Sequence, residues 1–147
     1  MGKFHLNFFK LLTLKYQDEL QIIKEFHLTL VEHSILQTLN FYGQITPREL
    51  AGKFALSKST LTYVLDSLEK KGLVERRQDK NDRRSYFVYL TQKGKKTVRK
   101  ILTKESAILI PAFNELSDKE KTYWDRLIES LVEKSENHIK KGIKRHA

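Results

Sequence analysis

The chain has 147 residues with no cysteine, only two prolines, and 28 Lys and Arg against 18 Asp and Glu, for a net charge of +10. A chain of this length is the size of one domain, so we expect a single domain over residues 1–147. The lack of cysteine excludes disulfides, thiolate metal sites and thiol redox switches. No apolar run approaches the roughly 20 residues that span a bilayer, so we expect a cytoplasmic protein without a membrane partner.

The positive charge is concentrated in the middle of the chain. Residues 48–100 carry 15 Lys and Arg against 6 Asp and Glu, which accounts for nine of the ten net charges. Neutralising the phosphates of a nucleic acid releases condensed counterions, so such a concentration favours a polyanionic partner. A basic face kept only for solubility and an anionic membrane surface are the alternatives.

Two helices are predicted near the N-terminus, at residues 4–24 and 30–42. The first is apolar around much of its circumference, which in a small domain is typical of a helix that packs against a second subunit. The second has an inward-facing apolar stripe and ends at Gly43, a helix stop signal.

A pair of short helices follows. Residues 46–49, Thr-Pro-Arg-Glu, form a capping box with proline in the first turn and predict a helix to about residue 54. Ser57 caps a second helix that runs to Lys71. Two short helices joined by a few residues are the arrangement of a helix–turn–helix.

Period-two alternation then predicts strands at 73–78 and 84–90, joined by turn residues into a β-hairpin. Thr91 caps a helix to about Leu109, where Pro111 bends or ends it. A capping box at 117–120 opens a final helix. Its apolar positions recur at helical spacing: Trp124, Leu127, Ile128 and Leu131.

The predicted fold is therefore mainly α with a small β-hairpin. It is a winged helix–turn–helix lobe over residues 30–100, flanked by dimerisation helices at 1–29 and 101–147. We expect a homodimer joined through these flanking helices.

The helix after Ser57 carries the candidate contacts with nucleic acid. Leu61, Val64, Leu65 and Leu68 form its buried stripe, whereas hydroxyl side chains and one aromatic occupy the exposed N-terminal half. Short hydroxyls allow a helix to lie deep in a major groove and to bond base edges or phosphates. The alternative is that they are ordinary capping and surface residues. The candidates on this helix are Ser57, Lys58, Ser59, Thr60, Thr62 and Tyr63.

The hairpin next to this helix has the position of a wing. Arg83 and Arg84 lie near its tip, where an arginine can enter a narrow minor groove. Asp82 could orient Arg84 by pairing with it. The alternative is a surface ion pair worth under about 1 kcal/mol.

Four segments resemble the MarR/SlyA family of winged-helix regulators: LSKSTLT at 56–62, LEKKGLV at 68–74, DRRS at 82–85, and LT at 90–91 with KG at 93–94. The resemblance implies a homodimeric transcriptional regulator of double-stranded DNA with a palindromic operator, most often a repressor. It implies Arg84 as the minor-groove arginine and a small-molecule effector bound between the dimer arms and the DNA-binding lobes. Many members have arginine where this chain has Tyr63.

The sequence contains few features that support other classes of function. There is no phosphate-binding glycine-rich loop, HExxH string or GxSxG elbow, so we do not expect an enzyme. The five histidines, His5, His27, His33, His138 and His146, include no pair at i, i+4 spacing, so we expect no metal site and no cofactor. A zinc-responsive regulator of the same fold, as some family members are, and a winged-helix protein-docking module stay open as alternatives.

Overall fold

The computed structural model describes residues 2–79, 82 and 85–145. It divides the chain into two compact units, of which the first ends at Ser106 and the second begins at Ala107. No helix among the residues described is both long and apolar enough to cross a membrane.

The elements follow one another as six helices and three strands within the described residues. In chain order they are α1 Lys3–Glu25, α2 Leu30–Tyr42, β1 Gln44–Ile45, α3 Pro47–Phe54, α4 Lys58–Lys70, β2 Val74–Gln78, β3 Tyr86–Leu90, α5 Gln92–Asn114 and α6 Asp118–Arg145. The predicted helix–turn–helix is α3 and α4, and the predicted hairpin is β2 and β3. The chain therefore has the predicted winged-helix fold.

Local capping fixes where α2, α3 and α4 begin. The side chains of Thr29 and Thr46 each accept a hydrogen bond from the backbone three residues on, and Glu32 and Glu49 complete both capping boxes. Ser57 Oγ accepts from the backbone N–H of Thr60 at 3.1 Å and caps α4. These bonds satisfy backbone donors that the first helical turn leaves unpaired.

The hairpin belongs to a three-stranded antiparallel sheet with strand order β1-β3-β2. In β1, Gln44 pairs with Tyr89 and Ile45 with Val88. We did not predict β1, because a strand of two residues is too short to show alternation. It joins the start of the helix–turn–helix to the wing.

The core of the first unit forms where α2, α4 and β3 pack together. Val88 in the central strand is fully buried. The buried side chains around it from the helices include Ile35, Leu36, Leu39, Leu61, Val64, Leu65, Leu68, Val98 and Ile101. The stripe predicted for α4 is thus the side that packs in the core.

The end of α5 differs from the prediction, which placed it near Leu109. The helix continues through Pro111 to Asn114. Proline removes one backbone hydrogen bond and distorts the helix, but it does not force an end when the flanking turns are helical. The capping box that opens α6 is as predicted, with Ser117 and Glu120 exchanging hydrogen bonds.

Gly94, in the first turn of α5, lies against the backbone of Leu73, the residue before β2. A Cβ added at Gly94 would lie 2.0 Å from the carbonyl oxygen of Leu73, which is backbone and cannot yield. We expect Gly94→Ala to lower the free energy of unfolding by about 3 kcal/mol, measured by urea denaturation.

Gly52 provides the control, because it lies in α3 with nothing within 4 Å of an added Cβ. Gly52→Ala should raise the free energy of unfolding by about 0.5–1 kcal/mol through helix propensity. Equal effects of the two substitutions would contradict the close packing assigned to Gly94.

Candidate nucleic-acid interface

One side of α4 faces the core, and an ion pair with a buried carboxylate of α2 attaches its C-terminal end to that helix. Glu32 is 2% exposed, and its carboxylate lies 2.7 Å from Lys71 Nζ. Ser67 Oγ donates to the same carboxylate at 2.7 Å. The backbone N–H of Thr29 donates to it as well, also at 2.7 Å. A single carboxylate on α2 therefore holds the last turn of α4 and the residue after it.

The protonation of Glu32 depends on these bonds. Burial alone would raise its pKa, but the hydrogen bonds from Lys71, Ser67 and Thr29, with the charge of Lys71, hold the pKa below its usual value. The carboxylate is therefore ionised at neutral pH, where it compensates the Lys71 ammonium.

The opposite side of α4 is exposed. All six predicted contact residues on this helix are exposed, and Tyr63 is 76% exposed. Ser57 Oγ lies 2.9 Å from Ser59 Oγ and 2.8 Å from Thr60 Oγ1, and Thr62 Oγ1 donates to the Lys58 carbonyl at 2.9 Å. Each hydroxyl keeps further acceptor capacity toward solvent, which a nucleic acid can use. The structure thus brings these residues together on one face.

Arg76 of β2 connects the wing to α4. Arg76 Nη2 lies 2.5 Å from Asp66 Oδ1, and Arg76 Nη1 lies 3.4 Å from Glu69 Oε2. The Arg76 guanidinium is also 5.5 Å from the ring centroid of Tyr86. The wing and α4 are therefore held in one orientation by charge-assisted contacts.

Arg83 and Arg84 lie outside the described residues, and so does the predicted pairing of Asp82 with Arg84. Among the described residues beside them, the backbone N–H of Asp79 donates to the Ser85 carbonyl, and that of Ser85 donates to the Asp82 carbonyl, both at 3.0 Å.

A cavity of about 450 Å³ opens between α3, α4 and the wing. Its walls are mainly apolar, and it has basic side chains from Arg48 and Lys58. Lys58 and Thr62 belong both to this cavity and to the exposed face of α4. The lining is formed by Pro47, Arg48, Ala51, Lys58, Leu61, Thr62, Leu65, Ser85 and Tyr86.

One cluster was missed by the sequence analysis. His33, one of the histidines at which we expected no metal site, is 1% exposed and lies between Glu19 of α1 and Glu105 of α5. No local spacing could reveal this cluster, because its members lie 14 and 72 residues apart in the chain.

The buried pair predicts a pH dependence of stability. Because folding lowers the pKa of Glu32, its ionised form stabilises the protein above the unfolded pKa of about 4.3, and this contribution disappears as pH falls through the folded pKa. Glu32→Gln should lower the free energy of unfolding at pH 7 by about 2 kcal/mol.

The wild-type and Glu32→Gln curves of stability against pH should approach each other between about pH 5 and pH 3. Glu133→Gln on the exposed side of α6 is the control and should follow the wild type throughout. Parallel wild-type and Glu32→Gln curves over the whole range would show that ionisation of Glu32 does not contribute to the free energy of unfolding.

The MarR family model matches residues 28–86, which span α2 to the start of β3. The HTH-type transcriptional regulator YsmB of Bacillus subtilis is 31% identical over 111 residues, which is 76% of this chain and 76% of YsmB. The transcriptional repressor MprA of Escherichia coli is 31% identical over 99 residues, which is 67% of this chain but only 56% of MprA.

Among solved structures, a mutant of S. aureus MepR bound to an oligodeoxyribonucleotide superposes with a TM-score of 0.67. The two chains are 20% identical, and the match covers 91% of this chain and 99% of MepR. At this level of identity the likeness concerns the fold.

Proposed function

The chain belongs to the MarR family of transcriptional regulators, and we propose that it is a sequence-specific repressor that binds a palindromic operator in double-stranded DNA as a homodimer. The observation that carries the proposal is the exposed hydroxyl face of α4, held in place by the core and by Glu32. MprA, a relative, bears the name of a repressor. We expect the protein to act in the cytoplasm and to have no enzymatic activity.

In the proposed complex α4 enters the major groove. Its 13 residues make a helix about 20 Å long, and its N-terminal half carries the exposed hydroxyls. Lys58 would pair with phosphate, whereas Thr62 and Tyr63 would meet base edges and thymine methyl groups. The excess of Lys and Arg over residues 48–100 would supply affinity that does not depend on sequence.

We place the wing over the flanking minor groove. Arg84, with a smaller contribution from Arg83, would enter that groove, where a narrow A·T-rich segment has the most negative potential. The contacts of Arg76 with Asp66 and Glu69 support this placement, because they fix the direction of the hairpin relative to α4.

The proposed dimer accounts for apolar residues that a single chain leaves exposed. Leu6, at 69%, and Phe9, at 53%, are examples from α1, and Val132, at 53%, is one from α6. Exposed apolar surface on this scale marks an interface with another protein. A second copy of the chain would cover α1 and α6, as proposed for residues 1–29 and 101–147.

A small-molecule effector is the proposed signal. The cavity beside α4 has the volume of a drug-sized binding site, apolar walls, and basic side chains from Arg48 and Lys58. This chemistry suits a small aromatic or aliphatic acid. The sequence analysis expected the effector between the dimer arms and the lobes, and the cavity offers a site within the lobe instead.

The contribution of α4 can be tested with two kinds of variant on a duplex selected from random DNA. Thr62→Ala with Tyr63→Ala should weaken binding of the selected duplex at least 10-fold, without changing the dependence on salt. Lys58→Ala should weaken all duplexes alike and reduce the salt slope by about 1. Fluorescence anisotropy over a series of salt concentrations measures both.

Thr122→Ala on α6 is the matched control, because Thr122, like Thr62, is exposed and donates to the carbonyl four residues earlier. It should bind as the wild type does. If the double variant on α4 also binds as the wild type does, another surface recognises DNA.

The dimer can be tested through the spacing of the operator. A two-fold dimer places its two α4 helices on one face of the duplex, so half-site centres should lie about 10 bp apart. Inserting about 5 bp between half-sites should reduce affinity to the non-specific level, whereas moving the insertion elsewhere should not. An asymmetric footprint, or full affinity after the insertion, would refute the symmetric dimer.

A further inference from the structure

The exposed side of α5 carries positive charge alone between Gln92 and Lys104. No Asp or Glu occurs between Asp82 and Glu105, whereas this stretch contains eight Lys and Arg. The opposite side of the same turns packs in the core, where Val98 and Ile101 are each 1% exposed. Six of the cationic side chains lie on α5, and all six are exposed: Lys93, Lys95, Lys96, Arg99, Lys100 and Lys104.

Two of these six side chains have partners within the protein. Lys93 Nζ donates to the Lys71 carbonyl at 2.7 Å, and Lys104 Nζ lies 2.8 Å from Glu25 Oε2. The other four form no ion pair with any carboxylate that the structure describes, and we call them the α5 basic face: Lys95, Lys96, Arg99 and Lys100.

The α5 basic face destabilises its own helix. Lys95 and Arg99 are i, i+4 neighbours of like charge, and so are Lys96 and Lys100, so each pair repels. The first turn of α5 has no acidic residue, although the helix dipole favours negative charge there. A surface that serves solubility alone mixes both signs of charge, as α6 does over residues 118–134. The segregation of charge on α5 therefore indicates a polyanionic partner, which would relieve this repulsion.

The chemistry of the face favours duplex DNA among the polyanions. From Lys95 to Lys100 the helix rises about 7.5 Å, and a duplex presents about four phosphates over that length. Protein interfaces are depleted of lysine and enriched in aromatic residues, and residues 92–104 contain no aromatic residue. The same lack disfavours single strands, which stack on aromatic rings. A helix that binds a membrane surface turns its apolar side to the lipid, whereas that side of α5 lies in the core.

The α5 basic face lies at the far end of α4 from the proposed operator contacts. Thr91 Oγ1, directly before α5, donates to the Gly72 carbonyl at 2.7 Å, so α5 begins beside the C-terminal end of α4. The exposed hydroxyls lie at the N-terminal end of this 13-residue helix, about 20 Å away. The C-terminal half of α4 carries Asp66 and Glu69, which interrupt the positive charge between the two surfaces.

We propose that the α5 basic face binds the phosphate backbone of a second DNA duplex, without sequence preference, while α4 holds the operator. Arg99 would bind phosphate oxygens through its guanidinium fork, and the three lysines would act as point charges. A homodimer would present two such faces and could hold two DNA segments together. The bridging of two duplexes rests on the proposed function, whereas the binding of phosphate by α5 does not.

The experiment measures capture of a second duplex by the full chain on an operator. A duplex selected from random DNA is immobilised, saturated with protein and washed, and a fluorescent duplex of unrelated sequence is then titrated over a series of salt concentrations. Because the operator occupies α4, the captured duplex reports on another surface.

Two triple variants lose the same charge from different helices. The test variant changes two lysines and one arginine of the α5 basic face: Lys96→Gln, Arg99→Gln and Lys100→Gln. The matched control changes two lysines and one arginine at exposed positions of α6: Lys119→Gln, Arg126→Gln and Lys134→Gln.

We expect the wild type and the control to capture the second duplex at low salt, and the test variant to bind it at least about 10-fold more weakly, with a salt slope reduced by about 3. Affinity for the operator should change no more in the test variant than in the control. The melting temperature of the test variant at low salt should rise, because like charges are removed.

Three results would overturn the second-duplex site. They are equal capture by the test variant and the control, no capture by the wild type at low salt, and a loss of operator affinity in the test variant alone. Vesicles of phosphatidylcholine and phosphatidylserine provide a further arm. If they bind the wild type but not the test variant, while no duplex is captured, the face recognises a membrane and the proposal is wrong.

Titration of the unrelated duplex without any operator separates this proposal from the proposed function. Failure of α4 to select any operator would refute the proposed function. Weaker binding of the unrelated duplex by the test variant than by the control would then still establish phosphate binding by α5, and equal binding would refute it.

Discussion

The placement of α4 on α2 is the constraint on which the rest of the structure depends. Leu61, Leu65 and Leu68 are packed in the core. Glu32 then binds Lys71 and Ser67 at the C-terminal end of the helix. Apolar packing alone allows a helix to slide or rotate by small amounts, whereas a buried carboxylate with three donors has one geometry. The core packing and the contacts of Glu32 together therefore determine which side of α4 remains exposed.

The wing depends on the same placement. Arg76 contacts Asp66 and Glu69, which lie on α4, so these contacts couple the orientation of the hairpin to that of the helix. These acids also neutralise Arg76. The positive charge available to phosphate must therefore come from other side chains, such as Arg48 and Lys58 at the cavity beside α4. In the proposed complex, charge would give affinity for any duplex, and the hydroxyl face of α4 would give the sequence preference.

Much of this arrangement could be read from the sequence because it is local. The bounds of α2 at 30–42 follow from the helical spacing of its apolar residues and from the stop signal after it. The cap of α4 at Ser57 follows from a capping residue directly before the helix. The continuation of α5 through Pro111 was not predicted, because whether a helix tolerates a proline depends on its flanking turns, which a single residue does not report. β1 was missed because its two residues become a strand only by pairing with β3.

The His33 cluster shows the limit of sequence analysis most clearly. Glu19, His33 and Glu105 each resemble ordinary helix residues, and only the packing of three helices makes them neighbours. The same limit applies to Glu32, a first-turn glutamate of α2 that also pairs with Lys71, 39 residues away. Contacts between distant segments are set by tertiary packing, which no local pattern encodes.

Hydrogen exchange of the backbone amides, with and without a selected DNA duplex, tests the central claim most directly. If α4 and the wing form the DNA-binding surface, the duplex should slow exchange most in residues 57–63 and in the β2–β3 hairpin. The buried half of α4 should change little, because the core already protects it. Protection confined to α6, or none at all under conditions in which the duplex is bound, would contradict the account.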